Sequence, residues 1–180
     1  MIRDTAYLVP GAASAAADAT VASGADDAGA IRGLLFRIRH EPRWRLDVWK
    51  EASRLQELHD PDQDPYPKNG CASTLSVLLK RCGIDVGNEV YALRLVRQLL
   101  ERGWERVPVG QQRAGDVGTT CGDERQPGID HVYFVLDVDP LGGMTVVDNQ
   151  DGLRPHWRPT EAQESFSPTT TFLRAPTASR

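Results

Sequence analysis

The stretch that decides the fold is Asn69-Gly70-Cys71-Ala72-Ser73-Thr74-Leu75-Ser76-Val77-Leu78-Leu79-Lys80. Asn-Gly is turn chemistry, and it follows a segment, Asp60 to Gly70, that carries three prolines and stops any preceding helix. Beyond it Leu75, Leu78 and Leu79 recur at helical spacing and Gly83 offers a C-terminal cap, so a helix is predicted over Cys71 to Cys82. Cys71 then opens that helix, where unpaired backbone N–H groups and the positive end of the helix dipole stabilise a thiolate over a thiol. Gly70 lets the chain pass close to a substrate. The Cys71 N–H and the Asn69 side chain are candidate donors to an oxyanion, and Tyr66, at the head of the same turn, is grouped with them as a substrate-binding candidate. A free cysteine at this place is equally the kind of small apolar residue that fills a core. Cys71 alone does not decide between the two.

Upstream, Leu34, Leu35, Ile38, Val48, Leu55 and Leu58 mark two helical pieces, with Pro42 as the break between them. Residues 10–30 are almost entirely Ala, Gly, Ser, Thr and Asp, a composition with too little apolar surface to offset the entropy of ordering. Residues 1–30 are therefore read as a flexible leader, with the domain occupying 31–180. Arg3 is offset by Asp4, and the Ala-rich run is broken by Pro10, Gly11 and Asp18, a poor secretory signal. The expectation is synthesis in the cytoplasm, with any export by a route that needs no such signal.

Downstream, Asn88 to Arg102 reads as an amphipathic helix closed by Gly103. The period then shortens. Segments around Trp104 to Val109, Asp116 to Thr119, His131 to Val138, Met144 to Asp148 and Thr169 to Leu173 are rich in Val, Tyr, Phe and Thr and are predicted as strands, with Leu141-Gly142-Gly143 as a hairpin turn.

His131 opens one of those strands, and the residues after it, Val132 to Leu136, are apolar. An imidazole there needs a partner. Facing a helix N-terminus across the edge of a sheet, it would take the proton of Cys71 and later return it to a leaving amine. A third group must hold the ring in the right tautomer, and the strand ending in Asp148-Asn149 supplies two candidates. Successive strand residues point to opposite faces, so at most one of them can serve. Both faces of that strand carry apolar residues, and parity leaves the choice open.

Composition narrows the field. The 180-residue chain is 40% apolar and 26% charged with a formal net charge of -4 and no basic run, which argues against nucleic acid as a partner and against an anionic membrane surface. Nothing approaches the length of a membrane span. Three cysteines, Cys71, Cys82 and Cys121, without a CxxC pair, argue against a disulfide framework or a structural zinc site. Cys82 reads as buried and inert, Cys121 as an exposed bystander in a polar loop; Cys121, Asp123 and His131 are too irregularly spaced to be good metal ligands. His156 beside Trp157 reads as a packed aromatic pair.

Taken in order, these pieces resemble the papain-like NlpC/P60 and CHAP cell-wall peptidases and amidases. A Cys opens a helix in Asn69-Gly70-Cys71-Ala72-Ser73, a second helix follows, then Gly103-Trp104, Gly115-Asp116-Val117, a His opening a strand in His131-Val132-Tyr133-Phe134-Val135, and a polar residue closing a later strand. The resemblance covers about Tyr66 to Gln150. It departs at Gly70, where the family has an acidic residue, and at Asp148-Asn149, where Asn149 is the nearer match to CHAP members. It implies an α+β fold with a papain-like core, the Cys71 helix packed on an antiparallel sheet bearing His131 and Asn149, and no metal or organic cofactor. The implied substrate is an amide of the peptidoglycan stem peptide, cut by an endopeptidase or amidase of the kind found in phage lysins and delivered antibacterial effectors; for an effector, an immunity or inhibitor protein is a further expected partner. The alternatives are a deamidase, transamidase or protease acting on a protein amide, and a non-catalytic binding module in which Cys71 only packs.

Overall fold

The computed structural model describes residues 26–60, 65–126, 128–140, 142–163 and 166–177. Among these, four helices precede and pack against a six-stranded antiparallel sheet, an α+β arrangement. Helices α1 (Asp27–His40) and α2 (Pro42–His59) are separated at Glu41, as Pro42 predicts, because proline suits the first helical turn and cannot continue the helix before it. Helix α3 is Cys71–Lys80 and α4 is Ala92–Glu101. The strands are β1 (Glu105–Val107), β2 (Val117–Thr119), β3 (Val132–Val138), β4 (Gly143–Val147), β5 (His156–Pro159) and β6 (Thr171–Arg174), in the order β1-β6-β2-β3-β4-β5.

Two helix starts differ from the sequence reading for visible reasons. Helix α1 begins at Asp27, four residues before the expected start at Ile31. The buried Asp27 carboxylate accepts bonds from Arg102 Nη2 at 2.8 Å and Trp104 Nε1 at 2.8 Å, which tie the start of α1 to the end of α4. Residues 27–30 of the expected leader thus belong to the domain, and its first 25 residues lie outside the described residues. Helix α4 begins at Ala92 rather than Asn88, because Glu89 Oε1 accepts the N–H groups of Val90 and Tyr91 at 2.9 and 2.8 Å in a local turn. Of the expected Leu141-Gly142-Gly143 turn, Leu141 lies outside the described residues; Asp139 and Gly143 close the hairpin through the Asp139 N–H at 2.8 Å.

Helix α3 is buried on all sides from Cys71 to Leu79, and the main core joins it to α1, α2 and α4 and to Val117, Val132, Phe134, Leu136, Val147 and Leu173 on one face of the sheet. The other face carries a second cluster of Val107, Tyr133, Val135, Met144, Val146 and Phe172. A central helix with a sheet against it fixes the start of α3 relative to the ends of β3 and β4.

The turn before α3 is clamped from behind. Gln56 of α2 donates to the Lys68 carbonyl at 2.8 Å, the Tyr66 hydroxyl pairs with Thr74 Oγ1 at 2.8 Å, and the Tyr66 ring lies edge-on to Trp49. A Cβ at Gly70 would fall 2.6 Å from the Tyr66 ring and 2.7 Å from Gln56 Oε1. That packing gives a physical reason for glycine where the resembled family has an acidic residue. Gly70→Ala is expected to cost about 1–3 kcal/mol through overpacking, read as a fall in Tm of roughly 2–12 °C by thermal denaturation.

Candidate active site

Cys71 occupies the first turn of α3, so its N–H has no acceptor within the helix. His131 stands immediately before β3, fixed through its N–H to Thr120 Oγ1 at 2.8 Å and through its carbonyl, which accepts the Thr120 N–H at 3.0 Å. On one side the ring acts on the Cys71 thiol, holding it down by charge and hydrogen bonding. On the other, its Nε2 meets Asp148 Oδ2 at 2.9 Å, which leaves Nδ1 as the nitrogen toward sulfur. The three side chains form a continuous chain from thiol to imidazole to carboxylate.

Register explains which of the two candidates orients the ring. Val135 pairs with Val146 and Phe134 with Val147, so His131, Tyr133 and Val135 share a face with Val146 and therefore with Asp148. Asn149 shares the face of Val147 and points the other way, donating Nδ2 to the Pro67 carbonyl at 2.6 Å. The expectation that Asn149 bears on His131 is thus corrected. Asn149 braces the turn that carries Asn69, and Asp148 holds the imidazole. Asp148 is further fixed by the Gln150 N–H on its Oδ1 at 2.8 Å.

A second imidazole also reaches that carboxylate. His156 of β5 pairs in register with Val146 and places Nε2 3.5 Å from Asp148 Oδ2, while its Nδ1 donates to the Arg154 carbonyl at 3.2 Å. His156 is therefore part of the electrostatic setting rather than half of an aromatic pair with Trp157. Strand β5 is absent from the sequence reading. His-Trp-Arg-Pro is four residues long, follows Pro155 and ends in Pro159, which hides the strand signal.

The electrostatics favour an ion pair. Burial pushes the Cys71 thiol up, but the charge of His131, its hydrogen bond and the Val132 N–H outweigh that and hold the thiol below its ordinary value. Burial likewise opposes charge on His131, yet Cys71 and Asp148 together raise it from 6.5 to about 9. Asp148 is buried too, but the two imidazoles hold its carboxyl well below the usual carboxylate range. Cys71 is thus read best as thiolate, His131 as imidazolium and Asp148 as the anion that steadies it.

Cys71 is only 6% exposed, but it lines two adjoining clefts of about 450 and 200 Å³. The larger is bounded by Pro67, Lys68, Asn149, Gln150, Arg158 and Phe166, the smaller by Val90, Tyr91 and Arg125, and Asn69, Gly128 and Asp130 are common to both. Asn69 sits at φ 56°, a left-handed conformation that asparagine tolerates. Tyr66 and Gly70, expected among the substrate-binding residues, line neither cleft; they support the turn from behind.

The remaining cysteines stand apart from this chemistry. Cys121 is buried rather than exposed, and burial pushes its thiol up to about 11, while burial raises Cys82 as well. Among the described residues no group of three or more His, Cys, Asp or Glu is arranged to hold a metal ion, and no helix is long and apolar enough to cross a membrane. Comparison with protein-family models, with curated proteins and with solved structures finds nothing that matches this chain.

Proposed function

We propose that the protein is a papain-like cysteine hydrolase that cuts an amide bond, with peptidoglycan as its substrate. The observation that carries this reading is the Cys71–His131–Asp148 chain at the floor of a cleft, with the thiol at a helix N-terminus. In the proposed reaction the Cys71 thiolate attacks the amide carbonyl, and the oxyanion forms beside the Cys71 N–H and Asn69. Collapse breaks the C–N bond as His131 gives its Nδ1 proton to the leaving amine, leaving a thioester. His131, now neutral, takes a proton from water, the hydroxide displaces sulfur, and the thiolate–imidazolium pair is restored.

The test is incubation with purified peptidoglycan and mass analysis of the products, with Cys71→Ala as control. Release of stem peptides or of shortened stems by the wild type alone supports the reading. Equal product from both proteins, or none from either, removes the cell-wall assignment. If the same pair instead converts a glutamine of an added protein to glutamate with release of ammonia, the chemistry stands and the substrate class changes.

The thiolate can be tested without a substrate. Cys71 should be alkylated by iodoacetamide near pH ~6, where a thiol with a pKa of about 8.5 hardly reacts, while Cys82 and Cys121 stay unmodified. Peptide mapping identifies the labelled residue. Absence of label on Cys71 at that pH would mean that it is an ordinary packed thiol, as in a non-catalytic module.

A further inference from the structure

Arg158 is a cation that the mechanism does not use. It lies on β5, is 3% exposed, and lines the larger cleft. Its guanidinium is packed between the Tyr133 ring at 4.6 Å and the Phe166 ring at 5.3 Å. It donates Nη2 to the Ser167 carbonyl at 3.1 Å, while Nε is buried without a hydrogen-bond partner. Among the described residues no carboxylate lies within ion-pair distance of it, although the half-buried Arg102 and the part-exposed Arg174 are each paired with an aspartate at 2.8 Å. A buried guanidinium held only by aromatic faces and a carbonyl oxygen is costly unless an anion completes it.

Its place in the sheet makes the cost meaningful. Met144 pairs with Arg158 and Val146 with His156, so Arg158 shares the face that carries His156, Asp148 and His131. Asp148 is already committed to the two imidazoles and to the Gln150 N–H. Asp130, the acidic residue of the cleft wall, accepts the Gln126 N–H on Oδ2 at 2.8 Å, and its buried Oδ1 has no hydrogen-bond partner. Lys68 adds a second cation to the same cleft. Arg158 thus lines the same cleft as Cys71, beside Phe166 and Ser167.

We infer that the substrate of Cys71 carries a carboxylate that binds Arg158, so that the enzyme selects acidic over neutral substrates at this subsite. This deepens the hydrolase reading and rests on it. Arginine suits the task because its planar fork can give a carboxylate two parallel hydrogen bonds, and two flanking rings would keep the fork in one plane.

The experiment uses bromoacetyl-glycine, bromoacetyl-β-alanine and bromoacetyl-γ-aminobutyrate, each beside its neutral methylamide. In every case the Cys71 thiolate forms an S–C bond and bromide leaves. With the wild type at pH ~6 and low salt, one chain length should label Cys71 at least tenfold faster as the carboxylate than as its methylamide. In Arg158→Gln that ratio should fall to one or below, and in Arg158→Lys it should be partly kept. Carboxylates slower than their methylamides at every length in the wild type would overturn the proposal, with no variant needed. A ratio unchanged in a folded Arg158→Gln would overturn it as well. Failure of the hydrolase reading looks different: neither reagent of any pair would label Cys71 at this pH.

Discussion

Replacing His131 by alanine is expected to lower amide turnover by at least about 10⁴-fold, the scale of losing the base from a nucleophile–base–carboxylate unit. Two effects add in the same direction. Burial raises the Cys71 thiol, and in the wild type the His131 charge is the largest opposing influence. Without it the thiol should titrate above its ordinary value, so the pH ~6 iodoacetamide reaction of Cys71 disappears and returns only in alkali. The leaving amine also loses its proton donor. The loss should not be one of folding, because Asp148 keeps His156 and the Gln150 N–H, and the His131 main chain is held by Thr120. The pH dependence of stability gives a second check. His131 is raised from 6.5 to about 9, so its contribution is fully present below about 6.5 and is lost as pH rises through about 9. The lowered Cys71 thiol contributes in the opposite sense over the same range, so the two largely cancel, and chemical denaturation of the wild type should be nearly flat between about 6.5 and about 9. An alanine variant with wild-type turnover would mean that the ring serves packing alone.

What the sequence made legible follows from how local each signal is. The start of α3 could be read because Asn69-Gly70 and the Leu75, Leu78, Leu79 stripe are neighbours, and β3 because Val132 to Leu136 is a run of apolar residues. That Cys71 and His131 meet was inferred from their places at two element ends, a consequence of helix-on-sheet packing. The choice between Asp148 and Asn149 was not legible. It depends on the pairing of Val135 with Val146, and one residue of slip would have exchanged the two side chains. Tyr66 and Gly70 looked like substrate contacts because they flank the nucleophile, whereas Gln56, on the preceding helix and 12 residues before the Lys68 it bonds, is what closes the turn. Arg158 has no local signature, since a lone arginine between prolines is ordinary until the sheet places it between two rings.

The same register yields a sharper contrast at Asp148 and Asn149. Asp148→Asn keeps the size of the side chain but removes the charge that steadies the His131 imidazolium, and an amide NH₂ facing Nε2 favours the wrong tautomer. Turnover is expected to fall by about 10²–10⁴-fold. His131 should then titrate below its wild-type value of about 9, because both the hydrogen bond and the charge that raise it are gone, so the alkaline limit of activity moves to lower pH. Asn149→Ala leaves that chain intact. It deletes the bond to the Pro67 carbonyl, so the expected cost is about 1–2 kcal/mol of stability and a smaller loss of turnover through a looser Asn69 turn. The acid side separates the two variants again. The Asp148 carboxyl is held well below its ordinary 3.8, so it contributes stability that is present above about 3.8 and is lost as pH falls through the lower folded value. Acid titration of Asp148→Asn, followed by circular dichroism, should lack that component, whereas Asn149→Ala should keep it at a lower overall stability. If Asn149→Ala shifted the alkaline limit and Asp148→Asn did not, the orienting residue would be Asn149, and the site would follow the CHAP pattern that its sequence resembles.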